Sequence, residues 1–222
     1  MRRFKDIEFR NNFIFFVILM ALMFVFFVKD YLFTENSYVV AQSNDVLEVI
    51  PSERAREIIA ERSEITIRAL KFQNLRTFKK MIHPKKGVRF SPYPYILSRD
   101  VLIEKTDFIR LFKSDEQLVW GIDNDMQPIK MSFSDYYEEY VYSEDFANYD
   151  ALVFNPNRKH KNIIDNTRQF YPKSILVEYH LNDTNPYNEK KDWAILRFVY
   201  EQYRSNWYLV GVINIRGINT DD

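Results

Sequence analysis

The chain has 222 residues, with 31 cations against 31 anions, 46% of its residues apolar and 17% aromatic, enough for one domain with a substantial core. There is no cysteine, which excludes a disulfide framework, thiolate metal sites, a cysteine nucleophile and a cysteine-linked lipid anchor. Beyond residue 33 the chain is about two units negative and shows no extended basic face, so nucleic acid is not an expected partner.

The first element is "FIFFVILMALMFVFFV", Phe13 to Val28, without one polar residue. As a helix it spans roughly 24 Å, close to a hydrocarbon core of about 30 Å, and Tyr31 to Phe33 can extend it while Arg10 and Lys29 reach the two interfaces. Residues 13–33 therefore read as a transmembrane signal-anchor. No small-residue cleavage site follows closely, so the anchor is expected to be retained. The flank "MRRFKDIEFRNN" is rich in cations, which places the tail 1–12 in the cytoplasm and the rest outside the cell membrane.

Residues 34–51 are polar and read as a linker, and 52–222 as the outer domain. Ser52 is a plausible N-cap for a first helix, whose apolar stripe is Ala55, Ile58, Ile59, Ile65, Ala69 and Phe72, with Arg62 an exception inside it. A second helix with Leu75, Phe78 and Ile82 stops before Pro84. In "IHPKKGVRFSPYPY" the chain leaves that helix, turns at Lys85 to Gly87 and runs extended from Val88 to Tyr95. His83 suits a cationic imidazole at a helix C-terminus.

"QLVWGI" and "PIKMS" around "DNDMQ" read as a hairpin, and Ser134 as the cap of a helix through "DYYEEYVY". "ALVF" is a short strand, and the polar loop "NPNRKHKN" leads into a helix before Pro172. Strands follow at 174–181, 193–203 and 207–216, the last two joined by Arg204, Ser205 and Asn206. Helices first and a largely antiparallel sheet afterwards indicate an α+β domain.

Alternation within the strands carries the candidate site. Ile175, Val177, Tyr179 and Leu181 form one face, opposite Leu176, Glu178 and His180. Ala194, Leu196, Phe198 and Tyr200 oppose Ile195, Arg197 and Val199. If the mixed faces coincide, Glu178, His180 and Arg197 meet among apolar walls. Such a cluster can support the sheet, hold a ligand or perform acid–base chemistry. Arg89, which alternates with Val88 and Phe90, could hold an anion, and Tyr93 could line a pocket. The histidines lack ligand spacing and no phosphate loop or nucleophile elbow is present, so neither metal nor cofactor is implied.

Several blocks resemble a family. The helix pair ending in "MIHP", then "GVRFSPYPY" and "DWAILRFVYEQYRSNWYLVGVI", are similar to the NTF2-like (SnoaL-like) fold, in which helices wrap a curved antiparallel sheet into a cone. "HPKKGVRFSPY", "PIKMSFSDYYEEYVYSEDFAN", "VEYH" and "WYLVG" resemble uncharacterised secreted proteins and lipoproteins of Gram-positive bacteria. The resemblance implies an NTF2-like domain with a cone pocket, for which Arg89, Tyr93, Glu178, His180 and Arg197 are the candidates. Members of that group are often tethered through a lipidated cysteine; this chain has none, so the apolar helix at 13–33 is expected to do the anchoring. The group carries no assigned activity, and a small-molecule or protein ligand and a homodimer through the sheet are both open. A tail, single helix and NTF2-like outer domain are also similar in architecture to VirB8-type conjugation proteins, which leaves an envelope scaffold as an alternative. A small-molecule enzyme using Glu178 and His180 is another.

Overall fold

A computed structural model describes residues 49–123, 125–157, 163–182 and 192–218. The expected tail, the anchor at 13–33 and nearly all of the linker lie outside these. Among the described residues no helix is long and apolar enough to cross a membrane.

The chain opens with α1 (Ser52–Lys71) and α2 (Leu75–Met81), followed by β1 (Val88–Ser91), β2 (Leu102–Ile103) and α3 (Phe108–Phe112). A hairpin of β3 (Leu118–Ile122) and β4 (Pro128–Met131) leads into α4 (Phe133–Tyr136), which continues as a π-helical turn, Tyr137–Val141. Then come β5 (Ala151–Phe154), α5 (Thr167–Phe170), β6 (Ile175–Asn182), β7 (Asp192–Tyr203) and β8 (Asn206–Ile218). Six strands form one sheet in the order β2-β1-β8-β7-β6-β5, and β3-β4 pair separately. Every neighbour is antiparallel except β1 and β8, which run parallel. The α+β class and the mainly antiparallel sheet are as the alternation indicates.

One face of the sheet packs on the helices. Val177, Tyr179, Leu196, Phe198 and Tyr200 meet Ala55, Ile59, Ile67 and Leu70 of α1, and Phe78 of α2 joins the same core. An aromatic cluster extends it: Phe90, Trp120, Phe133 and Tyr136 are all buried, and the Trp120 and Tyr136 rings stack 3.9 Å apart. Burying each such side chain is worth roughly 1.5–3 kcal/mol. The opposite face carries a smaller core of Leu176, Ile195, Val199, Val210, Ile213 and Ile215, covered by Ile96 and Tyr171. A half-polar open surface was expected there; instead the segments around residues 96–100 and 163–174 lie over it.

The helix stripe differs from its reading. The buried residues of α1 are Ala55, Ile59, Ser63, Thr66, Ile67, Ala69 and Leu70, while Ile65 and Phe72 are exposed. The reason is two sheet tyrosines that present hydroxyls to the helix. Ser63 Oγ lies 2.7 Å from the Tyr179 hydroxyl, and Tyr200 donates to Thr66 Oγ1 at 3.0 Å. Buried hydroxyls need partners, so the packed side of the helix is partly polar. Ser52 is no cap either. Pro51 occupies the N-cap position, and the Ser52 hydroxyl donates to the Phe154 carbonyl at 2.7 Å, tying α1 to edge strand β5.

Likewise Ser132, not Ser134, caps α4, accepting from Asp135 N. The π-helical turn that follows frees backbone carbonyls, and β8 takes them up. Asn214 Nδ2 donates to Tyr140 O at 2.8 Å and Arg216 donates to Glu139 O. In the hinge stretch, β1 stops at Ser91 rather than Tyr95. Gly87 has φ +70°, and a Cβ there would lie 2.5 Å from Ile103 O.

Candidate functional site

Glu178 and Arg197 are directly opposite each other in the β6–β7 register. Both are buried, on the face of the sheet away from α1. Arg197 brings Nε to 2.7 Å and Nη2 to 2.5 Å from Glu178 Oε1. Its Nη1 donates at 2.7 Å to both Asp165 Oδ2 and Thr167 Oγ1. Glu178 Oε2 faces His180 Nε2 at 2.8 Å. Alternation brings Glu178, His180 and Arg197 together as expected, because all three share one side of adjacent strands.

The electrostatics follow from this geometry. Burial pushes the Glu178 carboxyl up, but the hydrogen bond from His180 and the charge and hydrogen bonds of Arg197 outweigh it and hold the group below its ordinary value. Asp165 behaves alike: burial raises it, while Arg197 and Thr167 together bring it below the usual carboxylate value. With Glu178 ionised, His180 Nε2 is the donor. Both oxygens of Glu178 are then occupied, and a depressed pKa makes it a weak base at neutral pH. The cluster is built to fasten α5 and the residues before it to the sheet.

Asp165 and Thr167 were not foreseen. They arrive from a polar segment whose spacing gives no sign that it folds over the sheet. Two further candidates sit elsewhere. Arg89 shares the outer face, but its Nη1 donates to Ser98 O at 2.9 Å and to Asp100 O, and its guanidinium lies 5.4 Å from the Phe170 ring. It clamps the loop after β1. Beside it, Asp100 is buried and accepts from Ser91 Oγ at 2.6 Å and Leu97 N at 3.0 Å; burial raises its carboxyl in spite of those bonds. Tyr93 packs against the helix-side core, with its hydroxyl raised by burial and by Asp123 and Glu139.

His83 is the clearest revision in the hinge. It is buried, and Nδ1 accepts from Lys85 N at 3.1 Å and Lys86 N at 2.9 Å. A ring nitrogen that accepts twice is unprotonated. Burial, with Lys86 adding to it, lowers the pKa. His83 thus organises the turn as a neutral acceptor, not as a cationic helix cap.

Open space lies on another part of the domain. A groove of about 400 Å³ is lined by Ile58, Glu61, Arg62, Ile65, Met81, Ser205, Asn206 and Trp207. It runs between one side of α1 and the tip of the β7–β8 hairpin. The sequence signal for it was Arg62, the cation inside an apolar stripe. Ile65 of that stripe is exposed at the groove, while Ile58 borders the groove half-buried and packs against the edge of the main core. A second, small space, between α1, α2, α3 and α4, is mainly apolar in its lining, with Phe78, Phe90, Phe108, Phe112 and Phe133 beside Gln73 and Tyr137. Among the described residues no group of three or more histidines and carboxylates could hold a metal ion.

No family model matches the chain, and no curated protein matches it either.

Proposed function

We propose that the chain is a membrane-tethered, extracytoplasmic NTF2-like module that binds a ligand or protein partner without catalysis. The observation that carries this reading is the contrast between the two candidate regions. The acid–base cluster at Glu178 and His180 is saturated by Arg197 and buried under α5, whereas the groove at Arg62 and Trp207 is open and amphipathic. A groove of this size, lined by four apolar and four polar residues, suits a small amphipathic ligand or a short segment of chain. The anchor rests on the uninterrupted apolar run at 13–28 and the cationic flank before it. The NTF2-like assignment rests on the sequence blocks described above and on helices packed over one face of a mainly antiparallel sheet.

The test uses the full chain in lipid nanodiscs. A library of small molecules and peptides is screened by thermal shift, and hits are repeated on Ile65→Asp and Trp207→Ala. A binding module gives hits that both substitutions abolish while Glu178→Gln leaves them in place. Turnover of any hit, lost in Glu178→Gln, would replace this reading with the enzyme. For orientation, a C-terminal reporter active only in the cytoplasm must stay silent.

A further inference from the structure

Four arginines among the described residues are buried or half-buried: Arg62, Arg89, Arg168 and Arg197. Three of them donate to oxygen, although among the described residues Arg89 Nε is buried without a hydrogen-bond partner. Arg197 has two carboxylates, Arg168 has Ser174 O and Asn155 Oδ1, and Arg89 has two carbonyls. Arg62 is the exception. Among the described residues the one hydrogen bond of its guanidinium goes from Nη1 to Met81 Sδ at 3.5 Å, a weak acceptor, and its guanidinium carbon lies 5.5 Å from the Tyr208 ring. A guanidinium carries five donors in a fork shaped for carboxylate or phosphate, so most of that capacity is unspent.

Resting on the reading of the groove as the ligand site, we propose that Arg62 makes it an oxyanion subsite, and that the ligand is an amphipathic anion with a carboxylate or phosphate head and an apolar body.

The surrounding charge supports the sign. Lys105 Nζ lies 5.6 Å from the same Tyr208 ring and donates to Lys80 O at 3.2 Å and Ile82 O at 3.1 Å. Lys79 Nζ donates to Thr106 O at 3.3 Å. None of Arg62, Lys79 and Lys105 has a carboxylate partner among the described residues. Burial lowers the Lys105 pKa, and the positive charges of Lys79 and Arg62 lower it further, so the three cations feel one another. A half-buried group of like charges is relieved by an incoming anion. Glu61 lines the same groove but is exposed, so it acts through solvent while Arg62 acts from a half-buried position. Ile58, Ile65 and Trp207 offer apolar surface for the body of the ligand, and Ser205 and Asn206 offer polar groups beside it.

The test is isothermal titration calorimetry of the full chain in nanodiscs, with empty nanodiscs as the blank. Four probes share one ring: benzoate, phenyl phosphate, benzyl alcohol and benzylamine. Both anions, or one of them, should bind at least about tenfold more tightly than the alcohol and the amine, since hydrogen bonds to charged groups are the strong ones. The stronger of the two names the head group. Arg62→Gln should remove that preference, Arg62→Lys should keep part of it, and Trp207→Leu should weaken all four probes alike. Circular dichroism confirms that each variant is folded. Binding of benzoate and phenyl phosphate alike no tighter than that of benzyl alcohol, or an undiminished preference in folded Arg62→Gln, overturns the oxyanion subsite and leaves the groove as a ligand site. If none of the probes binds and the library screen is also empty, the binding-module reading falls with it.

Discussion

Arg197 joins two carboxylates from different parts of the chain, Glu178 on the neighbouring strand and Asp165 from the segment that crosses over the sheet. One buried guanidinium therefore holds β6, β7 and the start of α5 together.

Removing that guanidinium alone should be severe. Arg197→Ala leaves Glu178 buried without its cation and is expected to cost about 3–5 kcal/mol, read as a fall in the urea midpoint at unchanged slope. Replacing both partners at once, Glu178→Leu with Arg197→Met, should cost far less, since an apolar pair of similar volume removes both desolvation penalties. A double variant as unstable as Arg197→Ala would show that the ion pair has a role its burial does not explain.

Acid should destabilise the domain in two stages. The Glu178 and Asp165 pKa values lie below their ordinary values of 4.5 and 3.8, so their stabilisation is complete above those values and is lost as the pH falls through the depressed ones. His83 is also lowered from 6.5, but it is the neutral form that the fold prefers. As the pH falls through 6.5 the unfolded chain takes up a proton that the folded chain resists, and stability begins to decline there. In every case the unfolded state binds more protons, so all three act in one direction. His83→Asn keeps an acceptor for Lys85 N and Lys86 N without titrating. It should remove the early stage and leave the carboxylate stage, as measured by urea unfolding from pH 8 down to about 2.

Gly87→Ala tests the hinge. The substitution meets both a φ of +70° and the Ile103 carbonyl 2.5 Å from the new Cβ. A cost of about 1–3 kcal/mol is expected, seen in the unfolding midpoint, with the β1–β2 pairing the first to lose amide protection.

The helix-to-sheet hydroxyl pair tests why α1 buries polar residues. Ser63→Ala or Tyr179→Phe alone should each cost about 1–2 kcal/mol by leaving a partner unsatisfied. The double variant should cost less than the sum of the two, and a double-mutant cycle in urea measures the difference. Strict additivity would mean that the 2.7 Å contact couples nothing.

Much of this was legible locally. The apolar alternation of 174–181 and 193–203 placed Glu178 and Arg197 each on the mixed face of its strand, and the turn at Arg204 set the register of β7 against β8; the β6–β7 pairing then made the two mixed faces coincide. Side-chain direction in a strand depends only on position parity, so neighbouring residues carry that information by themselves. The existence of α1, α2, the β3–β4 hairpin and β5 followed from the same local patterns.

What the chain order could not contain is which segments cover which faces. Ser63 and Thr66 are buried only because Tyr179 and Tyr200 lie above them, more than 100 positions away in sequence. Ser52 turned from cap to cross-link because Phe154 O lies beside it, and His83 became a neutral acceptor because burial made its charged form costly. Asp165 and Thr167 completed the ion network from the start of the short helix before Pro172, whose local pattern carries no sign of the face it covers. Arg62 was visible as an anomaly in the sequence, but the tertiary structure alone gave it a groove, a tyrosine ring and two neighbouring lysines in place of a carboxylate. Local periodicity determined the elements and their faces; long-range packing decided which polar groups found partners and which kept donors to spare.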